Sequence, residues 1–301
     1  MNAATRNRRI AATLTLAVGI AATVGSSADD TRPTLRYGIT AGSVEGANPS
    51  DVGAASRLWA NGLAEAVGLY RDAVATVFQG PEDAVRAMNS GGLDLLAIST
   101  LEYLAVEDRI DCSPAMVWSK DDAVLEEYVL LARRDASRPP MPGRAIVVYA
   151  ASRAWAPSAI WTELAMRELP PVGAARAPAP VKVVGKRGHA AMAVFFGQAD
   201  YAVEAGRAFE TAVTLNPQLG AQLDVVARSP GILPGLVCLS NRMEAGLRQR
   251  YVERATRLHE MTRYRQAFTV LQMTRLVPWD SRYLASARAL VAEHAQRQQG
   301  R

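Results

Sequence analysis

The amino-acid sequence predicts an α/β fold with two lobes, in which two mostly parallel sheets with flanking helices are joined by a two-strand hinge. The first observation is a strand–loop–helix pattern that occurs three times between residues 35 and 103. The second is a new round of the same pattern between residues 145 and 227. The third is that strand-like runs such as LDLLAIS at 93–99 are continuously rather than alternately apolar over most of their length, which is typical of parallel strands buried on both faces.

The first lobe is predicted from four strands and the helices that follow three of them. Ser50 and Asp51 are suited to cap the first helix, because their side chains can accept hydrogen bonds from its free N–H groups. Pro81 and the two acidic residues after it open the second helix, where the helix dipole favours acids. The strands are expected at 35–40, 73–78, 93–99 and 116–118.

The second lobe repeats this organisation after a Pro-rich stretch at 134–143. At its centre, the segment 183–204 contains a β-branched pair, a Gly-rich turn, a helix opened by His189 and a short strand at 201–203. A strand at 235–240 returns to the first lobe, and the chain from 243 to its end is expected to be helical. The other strands are expected at 128–133, 145–149 and 223–227, with a helix at 154–169.

The N-terminus has the features of a cleaved secretory signal. Arg6, Arg8 and Arg9 precede a weakly apolar run at 10–24, and small residues follow at 26–28. A membrane anchor, the alternative, needs roughly 20 strongly apolar residues, and this run is shorter and rich in Ala, Thr and Gly. We therefore expect a signal peptide and a periplasmic mature protein.

The domain limits follow from these elements. Two α/β lobes joined by two extended crossings form a hinged cleft, and the crossings are expected near 121–128 and 227–236. The chain is accordingly divided into a signal peptide at 1–28, the first part of lobe I at 29–124, lobe II at 125–235, and a return strand with C-terminal helices that pack on lobe I at 236–301.

The charge of the chain does not indicate a polyanionic partner. There are 34 Lys and Arg residues against 29 Asp and Glu, a net charge of +5. Removal of the three arginines at the N-terminus leaves 31 basic residues, so the mature chain is near +2. These residues are mixed with acids rather than aligned in a stripe. We expect no nucleic-acid partner and a monomer.

The two cysteines, Cys112 and Cys238, allow only one disulfide. Both lie at or within apolar, strand-like runs. In an oxidising compartment they can pair, but two buried thiols that act as small apolar residues fit the sequence as well. The sequence leaves both alternatives open.

The sequence gives little indication of catalysis. It has no Gly-x-Ser-x-Gly elbow, no phosphate-binding P-loop and no Gly-x-Gly-x-x-Gly dinucleotide motif. The stretch beginning His259-Glu260 lacks a second histidine four residues on, where Arg263 stands, so it supplies no zinc-binding pair. We therefore expect neither an enzyme nor a bound cofactor or metal.

Hydroxyl groups recur after the predicted strands, at Thr40, Ser99, Thr100 and Ser152. Such groups at helix N-termini favour an anion by about 0.3–1 kcal/mol each, although each can instead be a simple helix cap. His189 at the mouth of its helix and Glu204 past the following strand would face the same crevice, where ligands bind in open α/β sheets. The residues together suggest a cleft for a small anion.

Several phrases resemble one family, the periplasmic phosphate/phosphonate-binding proteins of ABC transporters, which have the type II periplasmic-binding fold. Together the phrases cover most of the mature chain. They are LRYGIT, GLDLLAISTLEYLAVED at 92–108, GHAAMAVFFGQADYAVEAGRAFE at 188–210, LNPQLGAQLDVVARSP at 215–230, LPGLVCLSNRM and WDSRYLASARAL.

The resemblance implies a set of ligand-binding positions. In that family the ligand is held by an aromatic residue after the third strand, a hydroxyl cluster in the second lobe, a histidine and a carboxylate. These positions correspond to Tyr103, the turn at 150–153, His189 and Glu204. The turn departs from the family, because it offers Ser152 and Arg153 where a Ser-Thr-Ser run is usual. Arg153 could bind a carboxylate with two hydrogen bonds.

The sequence and the resemblance together predict a periplasmic solute-binding protein that captures a small anionic ligand. Delivery to an ABC permease in the inner membrane is what the resemblance implies. An extracytoplasmic sensor with the same fold is the alternative, and a periplasmic hydrolase is a third, which would require turnover that depends on His189.

Overall fold

The computed structural model describes residues 30–44, 48–134, 146–149, 156–168, 181–184 and 188–299. The predicted signal peptide and the turn that carries Ser152 and Arg153 lie outside these residues. The strands are β1 Thr34–Thr40, β2 Asp72–Phe78, β3 Leu95–Ser99, β4 Cys112–Ser119, β5 Tyr128–Arg133, β6 Ile146–Tyr149, β7 Val181–Val184, β8 Tyr201–Ala205, β9 Leu223–Arg228, β10 Gly235–Ser240 and β11 Arg275–Pro278.

Helices flank these strands, and short 3-10 turns lie at Ala41–Ser43, Leu258–Glu260, Thr262–Tyr264 and Ser281–Leu284. None of the helices in the described ranges is long and apolar enough to cross a membrane. They are α1 Pro49–Val67, α2 Pro81–Asn89, α3 Thr100–Val106, α4 Pro157–Glu168, α5 His189–Phe195, α6 Gly206–Leu215, α7 Pro217–Gln222, α8 Ala245–Ala255, α9 Arg265–Val270 and α10 Ala285–Gln299.

The first sheet has six strands in the order β11-β4-β10-β3-β1-β2. β1 pairs in parallel with β2 and β3, whereas β10 runs antiparallel between β3 and β4. The return strand predicted at 235–240 therefore lies inside the first sheet. β11 pairs antiparallel with β4, so the expectation of an entirely helical chain after residue 243 is wrong. Only Leu276 of the four residues of β11 is buried. One apolar position is too weak a pattern to indicate a strand between helices.

The second sheet has five strands in the order β7-β6-β8-β5-β9. β6 is parallel to both of its neighbours, β7 and β8. β5 is antiparallel to β8 and β9. β8 extends to Ala205, so Glu204 lies within the strand and not past its end as predicted. Glu204 continues the buried run of Ala202 and Val203, which is why the strand does not stop at the carboxylate.

The two sheets are connected by two crossings that pair with each other. Glu126 in the first crossing and Ile232 in the second exchange backbone hydrogen bonds of 2.8 and 2.9 Å. Beside them, the hydroxyl of Ser229 accepts a bond from the backbone N–H of Tyr128 at 2.8 Å. The lobe limits predicted at 124/125 and 235/236 fall at or beside these crossings and stay predictions.

Apolar side chains pack on both faces of the first sheet. Trp59 and Leu63 of α1 pack on one face, against Leu35 and Leu95 of the strands. α1 begins after Asn48, whose side chain accepts a bond from the backbone N–H of Ser50, and Pro49 occupies its first turn. The predicted cap at Ser50–Asp51 is therefore wrong by two residues, because Asn48 supplies the acceptor and Pro49 the preformed backbone angle.

The opposite face of the first sheet contains the disulfide. Cys112 in β4 and Cys238 in β10 are bonded, with 5.7 Å between their Cα atoms. Both cysteines are buried among apolar residues from α2 and α3, including Met88 and Val106. Of the two alternatives that the sequence leaves open, the structure has the paired form.

Candidate functional site

A cavity of about 910 Å³ lies between the two sheets and beside their crossings. The first-sheet side of its wall includes Gly42, Ser43, Val44 and Trp118, and the second-sheet side includes Pro157, Gly188, Gly206, Arg207 and Glu210. The crossings contribute Lys120, Asp121, Val124, Leu125, Glu126, Glu127, Tyr128, Gly231 and Pro234.

The cavity is placed where strands end and helices begin. β1 ends at Thr40, two residues before Gly42, and β8 ends immediately before Gly206, the first residue of α6. Pro157 is the first residue of α4 and also lines the wall. In α/β folds this edge of the sheet is the usual ligand site, because helix N-termini present free N–H groups there.

On the first-sheet side, a buried carboxylate bonds to two of the hydroxyl-bearing residues near the wall. Oε2 of Glu102 accepts hydrogen bonds from Oγ1 of Thr40 at 2.5 Å and from Oγ of Ser99 at 2.8 Å. Oε2 also accepts a bond from the backbone N–H of Ser99 at 3.2 Å, and Oγ of Ser99 accepts one from the N–H of Glu102 at 3.3 Å. The last two bonds form a capping box at the start of α3.

The other oxygen of this carboxylate has no hydrogen-bond partner. Glu102 is 0% exposed, and its Oε1 makes no hydrogen bond within the described part of the chain. It lies directly behind Gly42, since a Cβ built on Gly42 would be 2.7 Å from Oε1. Gly42 itself lines the cavity, so the carboxylate is separated from the cavity by the backbone of one turn.

Thr100, the first residue of α3, has its hydroxyl in the same buried region. Its backbone N–H donates to the carbonyl of Pro234 at 3.1 Å, which ties α3 to the second crossing. The hydroxyl is buried without a hydrogen-bond partner among the described residues. Thr40, Ser99 and Thr100 therefore lie together, and Glu102 is the group that Thr40 and Ser99 contact.

On the second-sheet side, Glu204 of β8 is also buried. Its Oε2 accepts a hydrogen bond from the backbone N–H of Gly188 at 2.9 Å. Gly188 has a φ of 80° and precedes α5, a conformation that glycine adopts without the steric cost met by other residues. Because Gly188 lines the cavity, Glu204 supports the wall from behind, much as Glu102 does on the opposite side.

The two ring-bearing residues of the predicted site are placed differently from each other. His189 is the first residue of α5 and is exposed. Tyr103 packs into the core of the first sheet, where burial raises the pKa of its hydroxyl. Neither residue is part of the cavity wall in the described structure.

The charged side chains of the wall are mostly acidic. Asp121, Glu126, Glu127 and Glu210 line the cavity together with the cations Lys120 and Arg207. The guanidinium of Arg207 donates to the carbonyls of Asp121 at 2.8 Å and Lys120 at 3.4 Å. This contact joins α6 of the second sheet to the first crossing.

Five of the eight predicted residues lie near the cavity without being part of its wall in the described structure, whereas Tyr103 lies in the core of the first sheet and Ser152 and Arg153 lie outside the described residues. Thr40, Ser99 and Thr100 lie on one side, and Glu204 and His189 lie on the other. Sequence reasoning missed Glu102 as the centre of the first group, although the Ser-x-x-Glu spacing of a capping box was visible. Within the described residues, no group of three or more His, Cys, Asp or Glu side chains is placed to hold a metal ion.

Two α/β units with paired crossings and a cavity at their strand ends define a periplasmic-binding fold of type II. Residues 46–283 match the family model described as the phosphonate periplasmic substrate-binding protein of ABC transporters. The chain belongs to this family of solute-binding proteins, which act in the periplasm with ABC transporters. No curated protein matches the chain.

Solved structures support the same fold at low sequence identity. A binding protein component of an ABC phosphonate transporter from Pseudomonas aeruginosa is 15% identical, with a TM-score of 0.57 over 88% of this chain and 87% of that chain. PhnD1 from Prochlorococcus marinus, solved with methylphosphonate, is 12% identical, with a TM-score of 0.56 over 86% and 97%. XAC2383 from Xanthomonas citri, solved with a chloride ion, is 14% identical, with a TM-score of 0.60 over 89% and 99%.

Proposed function

We propose that the protein captures a small anionic solute, phosphonate-like or phosphate-like, in the cavity between its sheets and delivers it to an ABC-type permease. The observation that carries this proposal is the cavity of about 910 Å³ at the strand ends of both sheets. A cavity walled by two units that are joined by two narrow crossings is suited to close around a ligand by hinge motion.

The wall contains groups that suit an anion. Gly206, Arg207 and Ala208 of the first turn of α6 line the cavity, as does Pro157 at the start of α4. Helix N-termini carry a partial positive charge and unpaired N–H groups, and both favour phosphate-like ligands. The guanidinium of Arg207 is half exposed, so an oxyanion could approach it from the cavity.

We propose that closure brings the eight predicted residues to the ligand from both sides. Thr40, Ser99, Thr100 and Tyr103 would contribute from the first sheet. Ser152, Arg153, His189 and Glu204 would contribute from the second. We further propose a monomer that performs no chemical step. Here binding needs only converging hydrogen bonds, and micromolar affinity corresponds to about −8 kcal/mol.

The test is ligand-induced stabilisation of the purified protein against methylphosphonate, phosphate, sulfate and acetate. A ligand at 100 times its Kd stabilises the folded state by about 2.7 kcal/mol. For a chain of this size the expected rise in Tm is about 5–10 °C. Glu204→Ala and His189→Ala should weaken the response to the bound anion.

A matched control uses a histidine away from the cavity. His294 of α10 contacts Glu163 of α4 at 3.1 Å, and it does not line the cavity. His294→Ala should therefore change the basal Tm without changing the ligand-induced rise. Equal loss of the rise in His294→Ala and His189→Ala, or no rise with any phosphonate or phosphate, would contradict the proposal.

A further inference from the structure

The carboxylate of Glu102 has one oxygen that its structural role does not explain. Oε2 alone accepts the bonds from Thr40 and Ser99, including the backbone bond that completes the capping box. Oε1 is buried and accepts no bond within the described part of the chain. A buried acceptor without a donor costs free energy, and a helix cap needs only the oxygen that is already used.

The unused oxygen is next to the cavity. Gly42 of the 3-10 turn Ala41–Ser43 lies next to it, and the three residues of this turn are half-buried. The turn is closed by a hydrogen bond from the N–H of Val44 to the carbonyl of Ala41 at 3.4 Å, which is long. Gly42 has no side chain over the carboxylate, so a small shift of this turn would open Oε1 to the cavity.

The charges on the wall favour the same kind of ligand group. Four acidic side chains line the cavity with two basic ones, and the guanidinium of Arg207 already donates to the carbonyl of Asp121. A ligand without a proton to donate would leave Oε1 without a partner, because a carboxylate oxygen accepts hydrogen bonds. A ligand with a donor would instead satisfy Oε1.

Building on the proposed function, we propose that Glu102 determines specificity by accepting a hydrogen bond from a protonated group of the ligand. Two sources supply such a group. One is an ammonium carried by the ligand, and the other is the P–OH of a singly protonated phosphonate. A sulfonate without an amine has neither, so Glu102 would discriminate against it.

The experiment measures Kd by calorimetry for four ligands that combine the two sources. Methanesulfonate has no donor, methylphosphonate has only P–OH, 2-aminoethanesulfonate has only the ammonium, and 2-aminoethylphosphonate has both. Each is tested with the wild-type protein and with Glu102→Gln. The amide can keep an oxygen toward Thr40 and Ser99, and it then places a donor, NH₂, where Oε1 was.

The expected result is that Glu102→Gln weakens binding of donor-bearing ligands by about tenfold or more, while methanesulfonate is unaffected or binds better. Loss for both phosphonates identifies P–OH as the source, and loss for both amines identifies the ammonium. With P–OH as the source, wild-type affinity for methylphosphonate should also fall as the pH rises through the second pKa of the phosphonate, because the P–OH proton is then lost.

Two further variants separate recognition from folding. Glu244 caps α8 by accepting bonds from the N–H groups of Gly246 and Leu247 at 3.0 and 3.2 Å. Glu244→Gln therefore removes one capping acceptor at a residue that does not line the cavity. The Kd values of this variant should match those of the wild type. If Glu102→Gln does not fold, Gly42→Ala crowds Oε1 and should shift the same ligand ratios.

Two outcomes overturn the inference and can be told apart. If wild-type protein binds a phosphonate and Glu102→Gln shifts all four Kd values equally, Glu102 is only structural and the proposed function stands. If wild-type protein binds neither these four ligands nor phosphate, the proposed function and the inference fail together.

Discussion

At the scale of single residues, Tyr264 shows how burial and hydrogen bonding set the ionisation of a side chain. Its ring packs against Gly62 of α1, and its hydroxyl donates to Oε2 of Glu65 at 2.6 Å. Burial, and after it the bond to Glu65, raises the pKa of Tyr264 to about 12. The same bond and the guanidinium of Arg263 lower the pKa of Glu65.

The expected consequence is a loss of stability at high pH. Because the pKa of Tyr264 is about 12 when folded and about 10 when unfolded, its contribution is complete below about pH 10 and is lost as the pH rises toward 12. Tyr264→Phe should remove the contribution of one tyrosine to the absorbance change near pH 12. Glu65→Ala should lower the pKa of Tyr264 but leave it above 10, because burial is the larger cause. An unchanged titration in Tyr264→Phe would contradict this assignment.

Individual site residues could be predicted only where one short segment decides their position. The strand–turn–helix pattern placed His189 at the start of α5, and it is there. That its side chain is exposed depends on the packing of distant segments and has no local signal. Likewise, the Ser99–Glu102 spacing is visible, whereas the bond from Thr40, 62 positions earlier, requires the pairing of β1 with β3.

At the scale of secondary-structure elements, Gly235 shows why β10 can pass beside the cavity. A Cβ on Gly235 would be 2.1 Å from the ring of Trp118 and 2.7 Å from the carbonyl of Ile98. Trp118 also lines the cavity, so a shift of its ring changes the cavity wall. The close approach of β10 to β3 and β4 therefore requires glycine at this position.

Gly235→Ala should destabilise the protein by about 1–3 kcal/mol, the usual range for overpacking, and should weaken ligand binding because Trp118 is displaced toward the cavity. Urea unfolding and calorimetry measure the two effects. The matched control is Gly53→Ala in α1, where the nearest atom, in Arg57, is 3.8 Å from the new methyl group. That variant should stabilise by up to about 1 kcal/mol through helix propensity. Equal stability of the two variants would refute the role of Gly235.

Strands were predicted well where the apolar run is continuous, and less well elsewhere. β5 and β10 begin and end at the predicted residues, 128–133 and 235–240, because both are buried along most of their length. β11 was missed, since four residues with one buried side chain carry too weak a pattern. Local sequence therefore indicates the central strands, and edge strands depend on the partner that they pair with.

At the scale of the whole molecule, the disulfide closes a loop that contains the entire second sheet. Cys112 and Cys238 are 126 residues apart, and β5 to β9 lie between them. The bond joins the last strand before the first crossing to the strand after the second. The first crossing therefore begins, and the second ends, at strands of the first sheet that the disulfide joins. The crossings themselves pair through the backbone bonds between Glu126 and Ile232.

Replacement of both cysteines, Cys112→Ser with Cys238→Ser, should lower the free energy of unfolding by about 4–5 kcal/mol. A loop of more than 100 residues loses about this much chain entropy in the unfolded state when it is cross-linked, and two buried hydroxyls in the apolar cluster would add to the cost. Because neither cysteine lines the cavity, the Kd of a bound ligand should change little at temperatures where the variant is folded.

Urea unfolding with and without a reducing agent measures the effect: the agent should lower the free energy of unfolding of the wild-type protein and leave that of the double variant unchanged. A double variant within about 1 kcal/mol of the oxidised wild type would show that the crossings, and not the disulfide, hold the two strands in place.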